Sequence, residues 1–184
     1  TIIRDCKPML ILESTDSLLD NCLKRNIDLM GTGFMMRSRD YNELGGIPDY
    51  PNLLFADFEL WINLTKKGYK ATSTENCFSF RVHNSTTSLS ADFKMQQAFE
   101  RFIRFLGNLG NEDKRFETII KRSASEFLEF YCRGFVHRVL RTPWSDRQGV
   151  SVKSTIEKFE RFARQLDVLD TFRPRTKFSI WLAF

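Results

Sequence analysis

The hydrophobic pattern of the C-terminal half places the strongest constraint on the fold. From Ser90 to Leu169, apolar residues recur every three or four positions, and many of them are Phe. Apolar side chains at this spacing fall on one face of an α-helix and must be buried against another element. The pattern therefore predicts several amphipathic helices that pack on one another.

Start and stop signals divide this half into three predicted helices. Ser90 is a suitable N-cap for the first, and Glu112 and Asp113 place acidic groups at the start of the second, where the helix dipole favours them. Pro143 ends the second helix. Ser154 and Glu157 fit a capping box for the third. We expect three helices over residues 90–171.

The N-terminal half alternates short apolar runs with turn residues. Helices are predicted over 14–25, 38–44 and 57–67, with Ser17 as cap of the first, and strands over 27–37, 69–72 and 77–83. We therefore predict an α/β unit over residues 1–89 and a mainly α-helical extension with a basic, apolar tail over residues 90–184.

Composition limits the classes of protein that this chain can belong to. There is no run of about 18 apolar residues for a membrane span, and the first residues lack the layout of a signal peptide. The four cysteines are too far apart for a zinc motif, which favours free thiols in a reducing, cytoplasmic compartment. The net charge of +5 fits either a solvated basic face or a surface that meets phosphate groups. Both ends start or stop within apolar patterns, so we expect part of a longer protein.

Three residues at the start of the predicted helix 57–67 are candidates for chemistry. Asp57 can cap the helix, which is the commoner role, or it can be a base aimed at the preceding loop. Glu59 points away from it, because residues two apart on a helix diverge by roughly 200°. Trp61 can be a core residue or a flat platform for a sugar ring.

Two further candidates flank this helix in the sequence. Gly31 and Gly33 fit either a simple bulge or a strand that lets a ligand approach the backbone. His83 can be a hydrogen-bonded histidine at a strand end, which is the commoner case, or a metal ligand.

The order of these motifs resembles the second half of the family-two glycosyltransferases, over roughly residues 27–88. The chain shows a Gly-Thr-Gly stretch leading to Arg37, then Glu-Leu-Gly-Gly-Ile-Pro-Asp, Ala-Asp-Phe-Glu-Leu-Trp, Lys-Gly-Tyr, and Phe-Arg-Val-His-Asn-Ser. Members of that family are inverting, nucleotide-sugar-dependent enzymes with the GT-A fold. The resemblance therefore implies a partial GT-A half in this chain.

The resemblance also implies roles for individual residues. Asp57 matches the catalytic base, and His83 matches a position that, in some relatives, binds a divalent metal, Mn or Mg. The expected sugar-site and phosphate-site residues are Gly31, Thr32, Gly33, Glu59 and Trp61 for the sugar, and Arg81 and Ser85 for phosphate. The partners implied are a nucleotide-sugar donor and a carbohydrate or lipid-linked acceptor, with a membrane surface at the inner face as a further partner.

Several departures from the family pattern bear on activity. Ala56 stands where Glu is usual, and Ile47-Pro48 stands where Phe-Asp is common. The Asp-x-Asp motif and the nucleotide-binding half that precede this region in the family are absent from the 184 residues. We expect the donor side, and with it the metal, to depend on residues outside this chain, and the chain alone to be inactive.

An alternative hypothesis is a non-catalytic module. The Phe-rich helices and the basic, apolar tail could dock a partner protein or a membrane surface. Nucleic acid is not expected as a partner, because no aromatic and basic reader motif is present.

Overall fold

The computed structural model of the protein describes residues 7, 9–27, 33–75, 77, 93–147 and 149–174. These residues form two short strands and six α-helices. In chain order they are β1 Leu12–Glu13, α1 Thr15–Leu23, α2 Ser38–Glu43, α3 Ala56–Thr65, β2 Lys70–Ala71, α4 Phe93–Glu112, α5 Lys114–Arg141 and α6 Val152–Gln165. Two 3-10 turns, Pro51–Leu53 and Trp144–Asp146, lie between helices.

The C-terminal helices confirm the helical prediction for that half. The α4, α5 and α6 helices bury the predicted apolar faces, and Phe99, Phe102 and Phe127 are fully enclosed. A single residue, Asp113, separates α4 from α5 and caps α5 by accepting a hydrogen bond from the backbone N–H of Arg115. Periodicity and capping are local properties, which is why the sequence predicted these elements.

The predicted α/β fold class is wrong for the described residues, which are mainly helical. They do not form the partial GT-A half that the resemblance implied. Their only sheet has two strands, with Leu12 opposite Ala71 in antiparallel register. Residues 33–37 do not form the predicted strand: Phe34 stacks on Trp61 at a centroid distance of 3.9 Å, and Met35 is 100% exposed. The strand expected over 69–72 shortens to β2, and most of the one over 77–83 lies outside the described residues. A short apolar run can be buried by packing on a helix as well as by pairing in a sheet. In residues 33–37 the partly buried Phe34 side chain packs on a helix.

Two predicted caps are also corrected. Ser14 caps α1, because its hydroxyl accepts from the backbone N–H of Ser17, the residue predicted as the cap. At α6 the capping box consists of Ser151 and Ser154, one turn earlier than the predicted pair of Ser154 and Glu157. The hydroxyl of each of these serines is able to cap a helix. Which serine does so depends on where the first buried turn of the helix lies.

The main core draws residues from both sides of the predicted boundary at residue 90. Leu19, Phe55 and Ile62 from the first half pack in the same cluster as the aromatic residues of the bundle. The α1 helix is also held to α5 by Asp20, which accepts from the Ser123 hydroxyl at 2.5 Å and pairs with the Arg122 guanidinium at 2.9 Å. The start of α3 is therefore positioned by the helical bundle beneath it.

Candidate functional site

The segment that leads into α3 has an unusual backbone. Asn52, Leu53 and Phe55 have φ angles of 54°, 55° and 67°. These angles lie in the left-handed region, which residues other than Gly and Asn rarely adopt. Such conformations persist only where surrounding contacts hold them, and they concentrate at functional sites. The turn from Tyr50 to Phe55, which we call the α3 entry loop, is therefore the first candidate for a site.

Aromatic packing anchors the end of the α3 entry loop. Phe55 is buried, and its ring contacts the rings of Phe99, Phe102 and Tyr131 at centroid distances of 5.3, 5.5 and 5.2 Å. These partners lie on α4 and α5, so burial of one ring in the bundle offsets the backbone strain at Phe55.

A second set of contacts fixes the start of the loop. The buried Tyr50 donates its hydroxyl to the Glu59 carboxylate at 2.5 Å, and the Arg101 guanidinium lies 4.7 Å above the Tyr50 ring. Arg101 also donates to the backbone carbonyl of Asp49. Burial, together with the Glu59 carboxylate, raises the pKa of Tyr50, so this phenol stays protonated as the donor.

Asp57 lies in the first turn of α3, directly after this anchored loop. It is not the cap, since Phe55 occupies the N-cap position and supplies no side-chain hydrogen bond. Its carboxylate is half-buried and makes no hydrogen bond or ion pair with any residue that the structure describes. Desolvation by burial raises the pKa of Asp57. The site thus presents an unpaired carboxylate of increased basicity on a fixed backbone.

The other predicted site residues fall into two groups. Glu59 is engaged by Tyr50, and Trp61 is 7% exposed with one face covered by Phe34. Gly33, beside Phe34, is exposed and has a φ of 83°, a conformation that suits glycine. The remaining predictions lie outside the described residues, and they are Gly31, Thr32, Arg81, His83 and Ser85. The structure thus places Asp57, Glu59 and Trp61 on α3 and Gly33 near it.

The described residues do not provide a metal site. Within them, no group of three His, Cys, Asp or Glu side chains is arranged to hold a metal ion. The predicted ligand His83 lies outside the described ranges, so no chemical step is assigned to a metal here.

Sequence reasoning missed the residues that support Asp57. Tyr50 lies between Pro48 and Pro51, in a stretch whose sequence predicts only a loop. Arg101 fits a charged residue on the solvent face of an amphipathic helix. No local pattern links Arg101 to Asp49, the residue whose carbonyl it contacts 52 positions earlier. The Asp-Tyr-Pro spacing offers at most a turn signal.

No protein-family model, curated protein or solved structure matches this chain. In the part of the chain that the structure describes, none of the helices has both the length and the apolar character needed to cross a bilayer.

Proposed function

We propose that this chain supplies the acceptor side of a nucleotide-sugar-dependent glycosyltransferase, with Asp57 as the general base. One observation carries the proposal: the Asp57 carboxylate is half-buried, unpaired among the described residues and raised in pKa. A structural carboxylate is normally hydrogen-bonded or ion-paired, as Glu59 and Asp20 are here. The order of the sequence motifs around Asp57 supports the same role.

The proposed step is a single displacement with inversion. The acceptor hydroxyl oxygen forms a bond to the anomeric carbon of the donor sugar, and Asp57 takes the hydroxyl proton as this bond forms. The bond from the anomeric carbon to the nucleotide phosphate oxygen breaks, and the nucleoside diphosphate leaves with the electron pair. A raised pKa makes Asp57 a better proton acceptor near neutral pH than an ordinary Asp.

The α3 entry loop gives this base its fixed position. Phe55 and Tyr50 anchor the two ends of the loop in the bundle, and these contacts hold the Asp57 backbone in position relative to α4 and α5. A misplacement of about 1 Å can cost about a hundredfold in rate, which is why a base needs such support.

A simpler role for Asp57 is stabilisation of the positive N-terminal end of α3. The two roles differ in their tolerance of a longer side chain. Glu in the first turn serves the helix dipole as well as Asp does, but its extra methylene moves the carboxylate away from the position of a base. Asp57→Glu therefore separates them: a base role predicts a large loss of transfer with little change in stability.

The main test uses the full-length protein and a panel of nucleotide sugars, with release of nucleoside diphosphate as the readout of transfer. Asp57→Asn is expected to keep nucleotide-sugar binding and to lose about 10²–10⁴-fold in transfer rate. Asp49→Asn is the matched control, because the Asp49 side chain is exposed and Arg101 contacts only the Asp49 backbone carbonyl. Unchanged turnover in Asp57→Asn would remove Asp57 from the mechanism.

A further inference from the structure

An arginine on α5 is partly buried without a carboxylate partner among the described residues. The Arg138 guanidinium donates to the sulfur of Met95 in the first turn of α4, and it forms no ion pair with a described Asp or Glu. A thioether is a weak acceptor that cannot neutralise a cation. Desolvation lowers the pKa of Arg138, which shows that its surroundings disfavour the charge. Such a cation is stabilised if an anion binds beside it.

A second arginine approaches the same part of α5 from α1. The α1 helix runs along α5 and ends at Leu23, and Arg25 follows it with a φ of 57°. The Arg25 guanidinium lies 3.2 Å from the centroid of the Phe130 ring. Arg25 has no ion-pair partner in the described part of the chain. The Arg25 guanidinium, which covers the Phe130 ring, therefore lies beside the position that follows Phe130 in α5.

Tyr131 occupies that position. It precedes Arg138 by about two helical turns, so both side chains lie on the same face of α5. Burial raises the pKa of Tyr131 to about 12, while the charges of Arg25 and Arg138 act in the opposite direction. The phenol therefore stays protonated at neutral pH, and its hydroxyl donates to none of the described residues. The three side chains offer hydrogen-bond donors and two positive charges.

We propose that Arg25, Tyr131 and Arg138 form a binding site for a phosphate group. The planar guanidinium presents paired N–H donors that match phosphate oxygens. The two positive charges are balanced more fully by a phosphate dianion than by a single carboxylate. Glu129, two residues before Tyr131 on α5, accepts from the backbone N–H of Arg173. The phosphate can belong to a soluble mono- or diphosphate or to a lipid headgroup, since the recognising chemistry is the same.

This site goes beyond the proposed transferase activity and does not depend on the role of Asp57. The Phe55 ring packs on the Tyr131 ring, so the two sites are neighbours in the fold. Their tests are separable, because phosphate binding is read without any sugar transfer. If Asp57 is shown not to be the base, the proposed phosphate site is unaffected. If the phosphate site is disproved, the proposed role of Asp57 is unaffected.

The test is calorimetric titration of the full chain with inorganic phosphate and with pyrophosphate, at constant ionic strength. Arg138→Gln is expected to weaken binding at least tenfold, and Tyr131→Phe several-fold. Arg141→Gln is the matched control, since Arg141 lies one turn later on the exposed side of α5. Arg138→Lys keeps the charge but loses the paired donors, so it should bind less tightly than the wild type.

The source of the phosphate is distinguished by a second arm with phosphatidylcholine vesicles, with and without phosphatidic acid. Binding to the acidic vesicles that Arg138→Gln abolishes identifies a lipid headgroup, and tight pyrophosphate binding alone identifies a soluble diphosphate. Thermal unfolding without ligand shows whether each variant is folded. The proposal is overturned if folded Arg138→Gln binds every probe as the wild type does, or if Arg141→Gln weakens binding equally.

Discussion

At the residue scale, two carboxylates of α3 show how position determines chemistry. Asp57 and Glu59 are two residues apart, yet Glu59 accepts the Tyr50 hydroxyl while Asp57 has no described partner. Their side chains diverge around the helix, so one reaches the α3 entry loop and the other does not. The same side-chain chemistry therefore gives a structural acceptor at one position and a candidate base at the other.

The raised pKa of Asp57 predicts how stability should depend on pH. The pKa of Asp57 is higher in the folded state than in the unfolded state. The ionised carboxylate therefore destabilises the native state at a pH above the folded pKa, and this cost disappears as the pH falls toward the unfolded pKa. Asp57→Asn should therefore unfold at a slightly higher temperature than the wild type at pH 7. The helix N-terminus favours the anion and keeps the difference small.

Thermal unfolding between pH 7 and pH 4 measures this dependence. The advantage of the variant should shrink toward the acid end, where the wild-type carboxyl becomes protonated. Asp49→Asn serves as control, since the structure gives its exposed side chain no partner among the described residues. An advantage that grows as pH falls would contradict the assigned direction of the shift.

At the element scale, a buried ion pair joins the two strands of the small sheet, and its carboxylate also contacts α1. Glu13 of β1 is buried and pairs with Lys70 of β2, and its carboxylate also accepts from the Asn21 side chain at 2.9 Å. Strands of two residues have little stability of their own. We infer that this pair, rather than the sheet ladder, fixes the position of β1 and β2.

A double-mutant cycle tests the role of this pair. Glu13→Gln or Lys70→Met alone should each cost about 3–5 kcal/mol of unfolding free energy, because each leaves its partner buried and unpaired. The double variant should recover part of that loss, giving a coupling energy of about 0.5–3 kcal/mol in denaturant unfolding. Strictly additive losses would show that the two side chains do not depend on each other.

At the scale of the whole molecule, one aromatic core joins the segments on either side of residue 90. Phe55 and Ile62 lie in the same cluster as Phe99, Phe127 and Phe159. A core shared in this way predicts that α1 and α5 unfold together, although the sequence suggested a division there.

Cysteine labelling can test this cooperativity. Cys22 of α1 and Cys132 of α5 are buried, and burial raises the pKa of both thiols, that of Cys132 to about 12. Both should resist alkylation in the native state and become reactive with the same denaturant dependence. The exposed Cys77 should react at once and serves as the internal control. Different midpoints for Cys22 and Cys132, located by peptide mass mapping, would show two independent units.

The sequence predicted the elements whose signals are local. The apolar periodicity predicted the three helices α4, α5 and α6, although the start signal chosen for α6 was one turn too late. The predicted helix over 57–67 contains most of α3. The predicted strand was wrong for residues 33–37, because a short apolar run does not specify whether it packs on a helix or pairs in a sheet. The sequence also left open whether Asp57 caps its helix.

The sequence by itself determined that this chain is rich in amphipathic helix and that Asp57 lies at the start of one. Only the tertiary structure decided that Phe34 covers Trp61, that Phe55 and Tyr50 anchor a strained loop on the bundle, and that Asp57 is half-buried there without a described partner. The physical reason is range: helix formation depends on neighbours a few residues away, whereas desolvation and strain depend on residues brought together by the core.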